Sequence, residues 1–236
     1  MNEKVDVIDF TKKILQSNKK NNYSYDKLLI STGSKNKKLE INGLDSTDDG
    51  IIYLRNIKES KAIKDKLHSV SNVVIIGGGF IGLEIASSAN QANKNVTVLE
   101  RTSQLMGRVI PEQISKIIQK IHENNGNKIY LNTEVKKITK NNNYEIILSD
   151  GSKLKTDLII IGVGSLPDTD MFINSSLKIS NGILTDEFSQ TSIPDVYASG
   201  DVANFFHPHY GIHMRLESFK HAQNHGINAG KNILGF

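Results

Sequence analysis

The chain contains no cysteine in its 236 residues. That excludes a disulfide framework, a thiolate metal site and a redox dithiol within this chain. It also has no apolar run approaching the ~20 residues that span a bilayer. The start, Met1-Asn2-Glu3-Lys4, lacks the basic-then-apolar pattern of a secretion signal, so the default expectation is a cytoplasmic protein with no membrane contact. A large excess of one charge is missing too. The net charge is +4, and the lysines are scattered among asparagines rather than gathered in a stripe. Nothing in that pattern indicates a nucleic-acid surface, and it favours an acidic protein partner only slightly.

What is present is a globular composition, 38% hydrophobic and 23% charged, long enough to bury a sizeable core. Short β-like runs at Val5 to Ile8 and Leu28 to Ser31 flank a polar turn at Lys19 to Asn22. A turn-rich connection follows and becomes a helix around Ser60 to Leu67. Residues 71 to 126 read strand (Val73 to Ile76), glycine turn, helix to about Ala92, strand (Val96 to Leu99) and helix up to Gly126. Such alternation predicts parallel βαβ units. Short strands return over 128 to 165, and the chain ends in strands and a helix from about Glu217.

An internal repeat relates two of these regions. Val5, Ile8, Asp26, Leu28, Ile30, Gly33 and Ser34 align with Val135, Ile138, Asp157, Ile159, Ile161, Gly164 and Ser165. In each copy a small β-meander leads into an apolar strand and a Gly-Ser turn, which predicts two related nucleotide-binding domains. A full βαβ unit precedes the second copy alone, so the chain is expected to begin inside its first domain. The fold expected is α/β: a Rossmann-like NAD-binding domain at 71–162, inserted in an incomplete FAD-binding domain of the same class at 1–34 and 163–236.

Gly77-Gly78-Gly79-Phe80-Ile81-Gly82 is a GxGxxG directly after the apolar strand Val73 to Ile76. Glycines alone also punctuate ordinary turns, but a strand before and a helix after are what a dinucleotide site requires. Gly77 permits the tight turn. Gly79 lets the backbone approach a pyrophosphate at a helix N-terminus, and Gly82 lets the helix pack on the sheet. Glu100 ends the next strand, 23 residues after Gly77, near the ~20 expected of the acid that binds the adenosine ribose. A carboxylate there repels a 2′-phosphate, so NAD is expected over NADP, although the adjacent Arg101 could hold such a phosphate.

The run VIIGGGFIGLEIA (Val74 to Ala86), followed by VTVLE and LMGRVIPEQIS, resembles the NADH domain of the pyridine-nucleotide flavoprotein reductases, closest to their ferredoxin and rubredoxin reductase branch. YDKLLISTGS, DLIIIGVGSLPDT, GILTDEFSQTSIPDVYASGDVA and RLESFKHAQNHG resemble further segments of that family in the right order. The resemblance implies that FAD and NAD are the cofactors. Asp201 would bond the ribityl hydroxyls, Thr32, Gly33 and Lys35 would face FAD, and Phe219 would touch the flavin ring. The helix start at Glu217 to Phe219 would aim its N–H groups at the flavin C2 carbonyl. Glu84 is the expected catalytic residue, near the nicotinamide. Phe80, Ile81, Arg108, Gly162 and Gly200 complete the expected cofactor-binding set. The bland alternative for Glu84 is an exposed helix residue with an i,i+4 partner.

Departures from the family are equally informative. No GxGxxG precedes Gly77, so the FAD pyrophosphate cradle and the lysine that usually pairs with Glu84 are expected to be absent. A C-terminal interface domain normally follows the final helix in the family, and with the sequence stopping at Phe236 it is expected to be absent. Lys35-Asn36 replaces an Arg-Pro, Asp168 replaces an Asn, and His221 stands where the family has Asn. Without the first βαβ unit, Val196 to Ser199 is expected to be an open strand edge. Five of the seven histidines fall between His207 and His225. With no ordered ligand spacing they predict solvent-facing loop residues and no metal site.

The activity implied is NADH-dependent, FAD-mediated electron transfer to a small acidic ferredoxin or rubredoxin. Two alternatives stand beside it. One is an NADH oxidase or disulfide-type flavoenzyme, of which the dithiol-in-NADH-domain kind is excluded by the lack of cysteine. The other is an NAD-binding module, or half of a split protein, that needs a separate chain carrying the FAD-binding N-terminus.

Overall fold

The computed structural model describes residues 2–236. The chain forms two compact units, one of residues 1–35 with 166–236 and one of residues 36–165.

The discontinuous unit begins with a three-stranded antiparallel meander, β1 (Val5–Asp9), β2 (Ile14–Ser17) and β3 (Asn22–Ser24), followed by β4 (Leu28–Ile30) and β5 (Ser34–Asn36). The chain passes to the continuous unit within β5 and returns within β14 (Ser165–Pro167), and these two strands pair.

The continuous unit runs β6 (Ile51–Tyr53), α1 (Ile57–Leu67), β7 (Asn72–Ile76), α2 (Phe80–Gln91), β8 (Asn95–Leu99), α3 (Glu112–Asn124) and β9 (Lys128–Tyr130). A second meander, β10 (Val135–Lys140), β11 (Tyr144–Leu148) and β12 (Lys153–Thr156), leads into β13 (Leu158–Ile161). The main sheet has five parallel strands in the order β6-β13-β7-β8-β9.

Strand β13 has both faces covered, which is why it reads as an unbroken apolar run rather than an alternation. Ile160, with Val73 and Ile75 of β7, packs with Ile63 of α1 and Leu83 and Ala86 of α2. Ile159 and Ile161, with Val74 and Ile76, pack instead against Val135, Ile138, Ile146 and Leu148 of the second meander. Period-2 side-chain alternation thus sorts successive residues into two cores. The first helix is capped by a full capping box: the Asn56 side chain accepts from the N–H groups of Lys58 and Glu59, and Glu59 reaches back to the Asn56 N–H.

A strand at Ile51–Tyr53 is absent from the sequence expectation, which treats this stretch as connection. Its three residues are all buried, and its partner among the described residues is β13, more than a hundred positions later in sequence, so no local pattern announces it. Tyr144 ties the preceding loop down: its hydroxyl donates to Asp48, which also pairs with Lys140 at 2.7 Å. Burial alone would raise the Asp48 pKa. The bonds from Lys140, Tyr144 and the Gly50 N–H outweigh it and hold the carboxyl at about 2.

The rest of the discontinuous unit is β15 (Ile183–Thr185), β16 (Val196–Ala198), a 3-10 turn over Gly200–Val202, β17 (Ala203–His207), β18 (Ile212–Met214) and α4 (Phe219–Leu234). Strand β16 pairs in parallel with β4, Val196 opposite Leu28 and Ala198 opposite Ile30. Its core gathers Ile30, Phe172, Leu177, Ile183, Val196, Ala198, Val202 and Ala203. The expected open edge at Val196 to Ser199 is therefore corrected on both sides: β4 covers one edge, and on the other Gln190 bridges Tyr197, with the Thr191 N–H donating to the Val196 carbonyl and the Ala198 N–H to the Ser189 carbonyl.

The internal repeat is visible in the fold. Both meanders are three-stranded and antiparallel, and both carry a register shift at the same place, between Val5 and Val7 and between Val135 and Lys137. Each repeat strand is followed three residues on by a glycine of positive φ, Gly33 at 73° and Gly164 at 103°.

Candidate functional site

In the continuous unit the candidate site lies at the carboxyl end of β7. Gly77 leaves the strand with φ 110°, a region open to glycine, and its N–H donates to the Leu99 carbonyl at 2.8 Å. The glycines divide by function. A β-carbon on Gly77 would overlap the Gly162 carbonyl oxygen, and one on Gly82 would overlap the Gly77 carbonyl oxygen. These two, with Gly162 opposite, let strand, loop and helix approach one another. Gly79 differs: a β-carbon there would meet nothing within 4 Å. Gly79 is also the N-cap of α2 and offers no side-chain cap. The free N–H groups of that helix end therefore face open space, which suits an anion brought close to the backbone.

Glu100 stands beside this loop. Its Oε2 accepts the Gly78 N–H at 2.8 Å, and its Oε1 accepts the N–H and the hydroxyl of Thr102, each at 2.7 Å. A carboxylate has about four acceptor positions, so one remains for a ribose hydroxyl. The loop is backed by Met106, whose N–H donates to the Gly78 carbonyl at 2.9 Å. Phe80 and Ile81 are exposed on the first turn of α2. Glu84 is exposed one turn further on, and its carboxylate has no hydrogen-bond or ion-pair partner among the described residues. Arg108 is exposed and lies over Gly164, where a β-carbon would come within 3.0 Å of its Nη2.

The discontinuous unit holds the second set. Gly200 has φ 74° and carries Asp201 into the 3-10 turn. Ser34 donates to Asp201 Oδ2 at 2.9 Å, and Arg215 Nη1 donates to the Asp201 carbonyl at 3.2 Å. Arg215 also pairs with Glu217, and its Nε donates to Asn181. Ser218 caps α4 by accepting the His221 N–H at 3.2 Å. Beside that cap Glu217 is exposed, and Phe219 is 84% exposed. Thr32, Gly33 and Lys35 brace a turn: the Thr32 hydroxyl donates to the Asp168 carbonyl, the Asp168 N–H donates to the Gly33 carbonyl, and Lys35 pairs with Asp170.

The histidines depart from expectation. His209 lies in an exposed turn, but His207 ends β17, His213 lies in β18, and His221 and His225 lie in α4. His225 is only 8% exposed. Phe205 of β17 draws them inward, its ring stacked on His221 and edge-on to His225. No three metal-capable side chains converge among the described residues. Ser34, Arg215 and His225 were not singled out from the sequence; the arginine of the RLES segment was the one available signal.

Residues 1–226 match the family model described as pyridine nucleotide-disulphide oxidoreductase. The chain belongs to that family. Members similar to it include a rubredoxin-NAD(+) reductase of Ectopseudomonas oleovorans, 32% identical over 237 residues, covering all of this chain and 61% of that protein. A terpredoxin reductase of a Pseudomonas species is 38% identical over 183 residues, covering 76% of this chain and 44% of that one. Among solved family structures, the ferredoxin reductase for the CYP199A2 system of Rhodopseudomonas palustris superposes with a TM-score of 0.96 at 28% identity, covering 100% of this chain and 58% of the other. The chain thus spans between 44% and 61% of the length of these relatives.

Proposed function

We propose that this chain is part of an NADH-dependent, FAD-containing reductase that delivers electrons to a small acidic electron carrier, a ferredoxin or rubredoxin. The observation that carries the reading is the open approach at Gly79, with an uncapped helix behind it and a carboxylate at Glu100.

The continuous unit would hold the dinucleotide. The N–H groups at the start of α2 receive the pyrophosphate. The remaining acceptor position of Glu100 takes a ribose hydroxyl and repels a 2′-phosphate, which selects NADH. Arg108, beside Gly164, supplies positive charge to the same unit, and the unpaired Glu84 carboxylate is an acceptor for the carboxamide end of the ligand. In the discontinuous unit Asp201, fixed by Ser34 and Arg215, would accept hydroxyl protons of the flavin ribityl chain. The α4 N–H groups next to exposed Phe219 would favour negative charge on the ring. When bound, FAD supplies a ring that takes two electrons as hydride and releases them singly, while the protein supplies orientation and electrostatics. Overall, one NADH reduces two one-electron carriers and yields NAD+ and one proton. Dependence on NADH fits a cytoplasmic site of action.

A second reading is favoured by the two-stranded parallel pair β4–β16. In it the chain binds NADH through its continuous unit, and a separate chain completes the flavin-binding domain.

The test is the visible spectrum of the purified chain under anaerobic conditions, before and after NADH. A flavin band that bleaches supports the reductase reading for this chain. A colourless protein that still quenches NADH fluorescence supports the second. A protein that does neither overturns both.

A further inference from the structure

His225 is the most deeply buried histidine of the cluster, and its two ring nitrogens have different partners. Nδ1 lies 3.3 Å from the Gly200 backbone nitrogen, which donates to it, and Nε2 lies 3.1 Å from Ser189 Oγ. A backbone N–H can only donate. Nδ1 must therefore carry a lone pair, and the single proton of the neutral ring sits on Nε2 and is donated to Ser189. Both partners occupy left-handed backbone, Gly200 at φ 74° and Ser189 at φ 68°. The imidazole joins α4 to these two tight turns.

We propose that His225 is a positioning residue for the flavin: as the neutral Nε2-protonated tautomer it accepts the Gly200 N–H and keeps the Gly200–Asp201 turn in the conformation that presents Asp201. The proposal rests on the reading that this turn receives the ribityl chain. Two backbone groups of the turn then have side-chain anchors, His225 on the Gly200 N–H and Arg215 on the Asp201 carbonyl, with Ser34 on the Asp201 side chain. A cationic ring would turn Nδ1 from acceptor into donor and set two N–H groups against each other.

The surroundings keep the ring neutral. Burial, and then the neighbouring His221, push the His225 pKa down to about 4. The groups facing it are the His221 ring from the preceding turn of α4, the Phe205 ring of β17, Ser189 and the Gly200 backbone. Asp201 is the nearby carboxylate, and its charge acts on His221 in the direction opposite to that of burial.

The test compares the unsubstituted 236-residue chain with His225→Asn and His225→Leu. The asparagine oxygen can replace Nδ1 as acceptor; leucine cannot. Ring-nitrogen NMR of the unsubstituted chain near pH 7 is expected to show an unprotonated Nδ1 and a protonated Nε2. Exchange of the Gly200 amide is expected to be about tenfold faster in His225→Leu and near the original rate in His225→Asn. FAD affinity, read by flavin fluorescence, is expected to follow the same order. An Nδ1-protonated tautomer, or Gly200 exchange unchanged in His225→Leu, overturns the proposal. So does loss of FAD binding in both variants alike, which marks His225 as a packing residue only. Failure of the unsubstituted chain to bind FAD overturns the flavin reading instead, and is recognised by a tautomer and exchange pattern that remain as expected.

Discussion

The two copies of the internal repeat differ most in what flanks their last strand. In the continuous unit β13 lies between β6 and β7, and all four of its residues are buried. In the discontinuous unit β4 pairs with β16 alone, and of Leu28, Leu29 and Ile30 just the last is buried. The meander, the register shift and the glycine turn are nonetheless retained in both. Local chain geometry is thus set within each copy, while the stability of its strand is set by its neighbours. A strand buried on both faces gains roughly 25 cal/mol for each Å² of apolar surface removed from water, and a half-covered strand gains correspondingly less.

Matched truncations in the two copies would sharpen this contrast most. Ile160→Ala removes a side chain that is 0% exposed and is expected to cost about 2–5 kcal/mol. Leu29→Ala, at the aligned but partly exposed position of β4, is expected to cost about 1–2 kcal/mol. Denaturant unfolding measures both, and equal costs would break the comparison.

The glycines of the continuous unit supply the next test. Gly82→Ala drives a β-carbon into the Gly77 carbonyl and is expected to destabilise by about 3 kcal/mol with loss of NADH binding. Gly79→Ala meets nothing, so its melting temperature should stay within about 0.5 kcal/mol equivalent of the original. Its NADH affinity should nevertheless fall about tenfold, as titration would show, because the methyl group occupies the approach of the pyrophosphate.

The discontinuous unit should carry an acid-sensitive component of its own. His225 titrates near 6.5 when unfolded and at about 4 when folded. A lowered native pKa means that the unfolded state binds the proton first. Its contribution is complete above about pH 6.5 and declines as the pH falls toward 4, by on the order of 3 kcal/mol. His225→Leu should remove that component from a stability profile measured between pH 7 and pH 4. An unchanged acid limb would assign it to other groups. The smallest effect is expected at Glu100→Gln, which removes the charge and turns one of the two accepting oxygens into a donor, so that either the Gly78 bond or the Thr102 N–H bond is lost. NADH affinity should fall by about threefold while discrimination against NADPH weakens, read by competitive titration.

Much of this was legible in the residues themselves. Val73 to Ile76 running into GGGFIG, and then Val96 to Leu99 ending at Glu100, specify strand, turn, helix and strand because apolar runs and glycine positions act over a few residues. The repeat was legible for the same reason. Strand β6 was not, since Ile51–Tyr53 becomes a strand only beside β13. The bond between Asp48 and Tyr144, 96 positions apart, leaves no periodic signal either. Polar residues such as Asp48 read as ordinary turn formers until a distant partner is known.

The histidines mark the boundary between the two kinds of information. The sequence by itself determined the family, the parallel βαβ order and the glycine and carboxylate types at the loop after β7, because each depends on short-range periodicity or on backbone angles that few residues allow. Only the tertiary structure decided that Gly79 is open while Gly77 and Gly82 are filled against backbone, that Glu100 keeps one acceptor position, and that His225 is buried between two left-handed turns. Those properties belong to distances between segments far apart in the chain, and the hydrogen-bonding state of a buried ring is set by which partners arrive there.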